Sequence, residues 1–524
     1  MKRGLSFKIP LLLFLSLLCF YSLLLSARFD GYERGFYATA CNFFTGGGFN
    51  MGDFGLANTA VIGGKRYCEY VLQSILDVPL VGAGIILDSV FAKASLYPDL
   101  QFFLPKAFNA VLTSLTAVVV YLFGVRLYKD KRISLTLAFI YGLATMAVPY
   151  ATIGMDPLFT FLTIFGFYLI KLCSEGGGPA CFALTGLVFG LAMGAKTYAF
   201  IAYPFAALYL FLLCRENKIE GLRRKAAALM AGGLAGLIPW FWYNYLRFGL
   251  ILPLGRTTSL AGEIFGSSRF SNFIDGIYGT FFSAGKSFFL YSPPLVFAFW
   301  GFSRLLKKNR PEAVSFLSFS VFVVLFFCSM DIPLYWADEV WGTRYYLVLV
   351  PFLVLTLGSL LPGMGAAGFI RKVFFYLSIF LGFMVQIPGS LVYYGRQTGI
   401  LVQSNLYTLQ NAFYIPAFSH LRINAFLIMA TLRRNFTGVF PSYYYYPRSN
   451  IWYNLSFKPI RLSIDPDVDY IELWWHRALA MPDLSLTSKC LVISLVLVLF
   501  AGFVLFGVMA YKAANAGLRE GGSR

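Results

Sequence analysis

Two carboxylates, Asp30 and Glu33, stand within one helical turn of each other in the segment Arg28-Phe29-Asp30-Gly31-Tyr32-Glu33-Arg34-Gly35-Phe36-Tyr37, with Arg28 and Arg34 flanking them. They directly follow an apolar run, so they lie where a chain leaves a membrane. Partial burial there tunes a carboxylate towards proton abstraction, the chemistry of a general base. The same residues also suit a salt-bridge cluster that closes a helix end, and the segment by itself leaves both readings open. Three cations occupy comparable positions beside other apolar runs. Arg247 lies in Asn244-Tyr245-Leu246-Arg247-Phe248-Gly249, Lys286 in the stretch from Phe282 to Pro294, and Arg344 in the stretch from Trp336 to Tyr346. Snorkelling of a long side chain explains any one of them. Three on one face, with a carboxylate pair beside them, suit phosphate recognition plus a base. Asp156, just before Pro157, is either a further functional carboxylate or a charge favoured by the dipole at a helix N-terminus.

The elements that must position these residues are membrane spans. Of the 524 residues 58% are apolar, 13% charged and 19% aromatic, against roughly 45–50% apolar and 25% charged in soluble domains. A soluble enzyme, a disordered chain and a disulfide-stapled secreted domain are excluded, because none of them hides that much hydrocarbon surface. Twelve stretches are apolar enough to cross: 9–27, 103–127, 133–152, 157–173, 180–195, 197–214, 226–245, 287–303, 313–330, 345–362, 373–393 and 488–511. The stretch 71–92 is also apolar but carries Asp77, Pro79 and Asp88, and it reads as a partly buried or interfacial helix. Residues 1–27 read as a retained first span rather than a cleaved signal peptide, since Leu24 stands where a cleavage site wants a small residue.

The expected fold is therefore an all-α polytopic membrane bundle of about twelve helices. About half of the 43 Lys and Arg fall in the short segments that face one side when the N-terminus is cytoplasmic. Only Asp130, Glu175, Glu216, Glu220, Glu312 and Glu520 accompany them there. The net charge of +19 is thus mostly a topology signal under the positive-inside rule, with no reason to invoke nucleic acid. Both termini are expected in the cytoplasm of a cell whose plasma (inner) membrane holds the protein, and the chemistry is expected outside, where most of the loop length lies. Residues 1–393 read as a transmembrane core that includes the first outer loop, 28–102. Residues 394–487 read as an extracytoplasmic segment, and 488–524 as the last span with a cytoplasmic tail.

Six of the eight cysteines fall in or beside spans, where a thiol behaves as a small hydrophobe. Cys41 and Cys68 share the first outer loop and are expected to pair in an oxidising compartment. His420 and His476 stand far apart without neighbouring Cys or Glu at ligand spacing. Asp465, Asp467 and Asp469 imitate the start of a calcium loop, but the glycine position of that pattern is not filled and His476 stands in place of the closing Glu. No Walker motif, nucleophile elbow or dinucleotide fingerprint occurs. A secondary transporter would place ionisable residues near the centres of its spans. Here they gather at the rim, with Lys196 the ambiguous case.

In order and placement, four motifs resemble those of bacterial GT-C membrane glycosyltransferases, relatives of the dolichyl-phosphate-mannose–protein mannosyltransferases and of the lipid A aminoarabinose transferases. They are Asp30-Gly31 to Tyr37 after the first span, Arg247-Phe248-Gly249 after the seventh, Ser283 to Pro294 at the eighth, and Trp341-Gly342-Thr343-Arg344-Tyr345 at the tenth. The resemblance runs to about residue 360 and continues more weakly through Tyr470-Ile471-Glu472-Leu473-Trp474-Trp475. It implies inverting transfer of a sugar from a polyprenyl-phosphate donor to an acceptor hydroxyl of a lipid, glycan or protein on the extracytoplasmic face. It further implies Asp30 as the catalytic carboxylate, assisted by Glu33, with Lys286, Arg344 and more weakly Arg247 on the donor phosphate. Two departures qualify it. Gly31 replaces a second acidic residue, and Tyr67-Cys68-Glu69-Tyr70 lacks the lysine and prolines of the family segment. The roles of Glu69 and of a divalent metal are thereby left open. A lipid-linked oligosaccharide polymerase or ligase would share the same outward-facing site.

Overall fold

The computed structural model describes residues 7–519 apart from 29–30, 51–59, 63–64, 69, 92–99, 155, 217–220, 253–272, 330–339, 365–367, 440, 442–443, 450–454, 461 and 463. Among the described residues, eight helices are long and apolar enough to cross a membrane. The protein is an all-α multi-pass membrane protein. Its only β-structure among the described residues is two antiparallel hairpins, Ala60–Ile62 with Lys65–Tyr67 and Tyr444–Ser449 with Leu455–Ile460.

The helices that position the site are α1 (Lys8–Leu24), α2 (Gly31–Phe44), α3 (Val71–Phe91), α4 (Leu100–Tyr128), α5 (Lys131–Ala144), α6 (Pro157–Ser174) and α7 (Pro179–Ala195). After them come α8 (Ala202–Glu216), α9 (Leu222–Phe248), α10 (Phe273–Phe282), α11 (Ala298–Lys308), α12 (Arg310–Cys328), α13 (Val350–Leu357) and α14 (Phe369–Leu391). The chain closes with α15 (Gly395–Gln403), α16 (His420–Thr437), α17 (Trp474–Ala480) and α18 (Leu486–Arg519).

Three expected spans are shorter or interrupted, each for a local reason. The stretch 133–152 stops at Ala144 because Thr145 is extended (φ −131°, ψ 169°), and a single helical turn, Ala147–Tyr150, follows. The stretch 287–303 is broken at Ser292, where Pro293 and Pro294 open a tight 3-10 turn before α11. The stretch 345–362 begins as a 3-10 turn, Arg344–Leu349, and becomes α-helical only at Val350. In the other direction, 71–92 forms a continuous helix despite Pro79, and Val71–Val90 is one of the eight long apolar helices.

Packing follows the rules of a lipid solvent. Helices α7 and α9 meet through Gly186 and Gly190 on one side and Gly232 and Gly236 on the other, where an added Cβ would collide with the facing backbone. Small residues let the backbones approach, which compensates for the weak hydrophobic drive between helices in hydrocarbon. The far side of α9 exposes Met230, Leu234 and Ile238. Ser16 of α1 donates to Phe503 O of α18 at 2.8 Å, joining the first and last helices. The interior is aromatic. Phe167 packs against Phe189, Tyr209, Phe316, Phe319 and Phe352 with ring centroids between 5.0 and 6.3 Å. A separate buried cluster of Val392, Ile400, Leu401, Phe418, Ile423, Leu427, Leu462 and Tyr470 organises the segment after α14.

Candidate functional site

The end of α1 is where distant parts of the chain converge. Ser26 bridges Leu473, Ala27 N donates to Glu472 O at 2.8 Å, and Trp474 N donates to Leu25 O at 3.0 Å. The indoles of Trp474 and Trp475 donate to the free carbonyls of Ser22 and Leu23 at 2.8 and 2.9 Å. These bonds satisfy acceptors that α1 leaves open at its last turn. They also carry Glu472 to Arg28, whose Nε lies 3.0 Å from Glu472 Oε2. Arg396 adds two hydrogen bonds to Glu472 Oε1, at 3.0 and 2.9 Å. Burial lowers the Arg28 pKa from its ordinary value, opposed by the Glu472 carboxylate and reinforced by Arg396, Arg477 and Arg34.

Glu33, in the first turn of α2, is buried against Lys106 of α4, with Nζ to Oε2 at 2.7 Å. The same Nζ donates to Arg28 O at 2.5 Å, so one ammonium fixes both the carboxylate and the exit strand from α1. Gly154 passes so close to Glu33 that an added Cβ would collide with its Cγ. A small polar cleft lined by Ser26, Arg28, Glu33, Lys106, Tyr393 and Glu472 opens at this junction.

Two residues beyond Gly154, Asp156 stands at the N-cap position of α6, where its side chain makes no capping hydrogen bond. Lys196 Nζ lies 3.1 Å from Asp156 Oδ1 and Arg344 Nε 3.5 Å from Oδ2, and all three side chains are at most 2% exposed. Lys196 sits in the extended break after α7, with its ammonium 4.2 Å from the Tyr70 ring centroid. Arg344 opens the 3-10 turn before α13, with its guanidinium 4.9 Å from the Tyr345 ring centroid. The result is one carboxylate, two cations and aromatic faces at the same end of the bundle. Such a set has the chemistry to bind and stabilise an anion in a low-dielectric pocket.

Of the residues singled out by sequence, Glu33, Asp156 and Arg344 enter this region. Asp30 and Glu69 lie outside the described residues. Lys286 is fully buried between α10 and Ser287. Its turn is held by Lys286 N donating to Ser283 Oγ at 3.1 Å and by the Tyr291 hydroxyl donating to Gly285 O at 3.0 Å. Arg247 is buried in the last turn of α9, with its guanidinium 5.2 Å from the Tyr243 centroid and 4.7 Å from that of Phe248. The Tyr243 hydroxyl donates to Cys68 O at 2.5 Å, which brings this end of α9 to the segment between α2 and α3. Among the described residues, the ion pairs of Glu33 and Asp156 reach Lys106, Lys196 and Arg344 and do not include Lys286 or Arg247.

The expected Cys41–Cys68 disulfide is corrected by the structure, in which neither cysteine forms a disulfide. Cys68 packs with Phe36, Ala38 and Tyr70, whereas Cys41 packs with Tyr37, Ala40 and Val81, so the two belong to different apolar clusters around α2. Burial pushes the Cys41 thiol up, which weakens its reactivity. The bridge that does form joins Cys173 and Cys181, with Cα atoms 5.8 Å apart across the turn from α6 to α7. Among the described residues, no group of three His, Cys, Asp or Glu side chains could hold a metal ion.

Lys106, Lys196 and Glu472 were not singled out as site residues from sequence. A signal existed for the two lysines, since an ionisable residue in or between apolar spans is expensive and marks function by default. Glu472 carried only its place in the Tyr470–Trp475 motif.

Residues 78–250 match the family model for dolichyl-phosphate-mannose-protein mannosyltransferase. That segment holds Lys106, Asp156, Lys196 and Arg247, while Asp30, Glu33, Lys286 and Arg344 lie on either side of it. The fold is also similar to the crystal structure of ArnT from Cupriavidus metallidurans in the apo state, with 13% sequence identity over 95% of this chain and 75% of that one and a TM-score of 0.47. No curated protein sequence matches the chain.

Proposed function

We propose that this protein is an inverting membrane glycosyltransferase that moves a sugar from a polyprenyl-phosphate donor to an acceptor hydroxyl on the extracytoplasmic face of the plasma (inner) membrane. The match of residues 78–250 to the mannosyltransferase family model carries the reading. The buried Asp156–Lys196–Arg344 set beside Glu33 and Lys106 supports it, because a leaving lipid phosphate needs cations that are already in place.

In this reading the acceptor oxygen attacks the anomeric carbon while the bond from that carbon to the phosphate oxygen breaks. The hydroxyl proton passes to Asp30, and the bond electrons leave with the lipid phosphate. Arg344 meets that developing charge, Lys196 pairs with Asp156 beside it, and Lys286 and Arg247 are the further phosphate-binding candidates that the motif resemblance implies. Glu33, held by Lys106, orients the chain that carries Asp30. A divalent metal is left open. Both termini are cytoplasmic, so the short basic segments lie inside and α2 lies outside. Residues 1–393 form the catalytic core, 394–487 the segment facing the acceptor, and 488–524 the closing span and tail.

The test is transfer from a panel of radiolabelled polyprenyl-phosphate sugars by purified protein in lipid, beside Asp30→Asn. Donor consumption lost in the variant supports the reading. Donor turnover unchanged by the substitution removes Asp30 from the mechanism.

A further inference from the structure

At the opposite end of the bundle, a cavity of about 320 Å³ opens between the first half of α11 up to Arg304, the segment 360–364 and the start of α14. Its walls are Phe297, Trp300, Leu360 and Met364, and two guanidiniums, Arg304 and Arg371, line it. Arg371 and Gly389 are eighteen residues apart on α14, which at 1.5 Å per residue is about 27 Å. Gly389 lines the Glu33 cleft, so the two cavities face opposite membrane surfaces. Among the described residues, neither Arg304 nor Arg371 has a carboxylate within ion-pair distance. The first turn of α14 has no acidic residue and no side-chain cap, so its positive dipole end also faces this region. Trp300 of the cavity wall, and Phe369, Ile370 and Phe374 beside Arg371 on α14, are all more than half exposed.

We propose that this cavity is a binding site for the headgroup of an anionic phospholipid from the leaflet opposite the candidate catalytic site. The phosphodiester sits between Arg304 and Arg371, each guanidinium offering paired N–H donors to phosphate oxygens. The acyl chains run along the exposed aromatic rim, which in a membrane-spanning chain already faces hydrocarbon. Charge complementarity and that rim select a lipid over a free phosphate, whose binding would gain nothing from Phe369 or Phe374. The orientation assigned above makes this the cytoplasmic leaflet, whose anionic lipids draw basic pockets between helices. The site stands independently of the glycosyltransferase reading.

Native mass spectrometry of the full chain, titrated with phosphatidylglycerol and phosphatidylcholine of identical acyl chains, tests it. Wild type is expected to retain phosphatidylglycerol about tenfold better, and the double substitution Arg304→Gln/Arg371→Gln is expected to bind both lipids alike. Gly363→Leu keeps both arginines but drives a side chain towards Arg304, because a Cβ at Gly363 would already lie 2.9 Å from Arg304 Nη1. It is expected to lose the preference as well. Lys307→Gln/Lys308→Gln removes the same charge from the same helix end outside the cavity and should leave the preference intact. The proposal is overturned if that control abolishes the preference equally, since the effect would then be diffuse charge. It is also overturned if the cavity substitutions change nothing, or if millimolar inorganic phosphate displaces the lipid.

Discussion

Helix α6 carries a charged group at each end, and the two ends are built differently. At its C-terminal turn, Lys171 Nζ lies 2.7 Å from Glu312 Oε1, and the Tyr209 hydroxyl donates to the same oxygen at 3.1 Å. At its N-terminus, Asp156 faces Lys196 and Arg344 at 3.1 and 3.5 Å, yet neither of its carboxylate oxygens has an aligned hydrogen bond among the described residues. Both placements suit the helix dipole, with an anion at the start and a cation at the finish. The Glu312 pair ties α6, α8 and α12 into one satisfied lock. The Asp156 set has more charge, and its carboxylate has fewer aligned bonds among the described residues, which suits a pocket that takes a further polar partner. A buried ion pair can therefore be either scaffold or site, and hydrogen-bond geometry separates the two more sharply than burial does.

Loss of Asp30 as the base should have the largest effect on catalysis. Asp30→Asn is expected to lower transfer by roughly two to four orders of magnitude while thermal unfolding in detergent stays at the wild-type temperature. Activity within a few-fold of wild type would place the base elsewhere.

The comparison between the ends of α6 is tested most directly by a matched pair of substitutions. Glu312→Gln leaves the partly buried Lys171 without its partner charge and should cost about 1–3 kcal/mol of stability, with the KM for donor unchanged in the protein that remains folded. Asp156→Asn removes the carboxylate shared by Lys196 and Arg344 and should lower both stability and kcat. If the two variants show the same kinetics, the distinction between lock and site collapses.

Arg344→Ala should slow turnover by the equivalent of about 2–4 kcal/mol, read as kcat/KM for donor, with Arg344→Lys recovering only part of it. Recovery of full activity by lysine would mean that charge alone suffices there. The smallest effect belongs to Cys41→Ser, which should shift stability by less than about 0.5 kcal/mol. A large loss on that change, with Cys68→Ser matching it, would restore the pairing that the structure does not contain.

The membrane class and most of the spans were legible in the sequence because hydropathy acts locally. An apolar stretch of about 20 residues must be satisfied as a helix wherever it sits in the bundle. The interruptions at Thr145, Ser292 and Arg344 were less legible, since they depend on proline placement and on contacts such as Met146 N with Ser292 Oγ at 3.0 Å. Three of the candidate site residues, Glu33, Asp156 and Arg344, could be named from their position at span ends. Their partners could not, because charge pairing is long-range in sequence. Lys106 meets Glu33 across 73 positions, and Glu472 meets Arg28 from the far end of the chain.

The amino-acid order by itself thus determined that the solvent is lipid, where most of the long apolar helices lie and where the ionisable residues must gather, because each of these follows from transfer energies of short segments. Only the tertiary structure decided which carboxylate meets which cation, that Cys41 and Cys68 lie in separate clusters, and that Arg304 and Arg371 share one cavity. Those outcomes depend on how helices dock, and docking is settled by close packing at sites such as Gly154, Gly186 and Gly232, where the room for a single methyl group decides the fit.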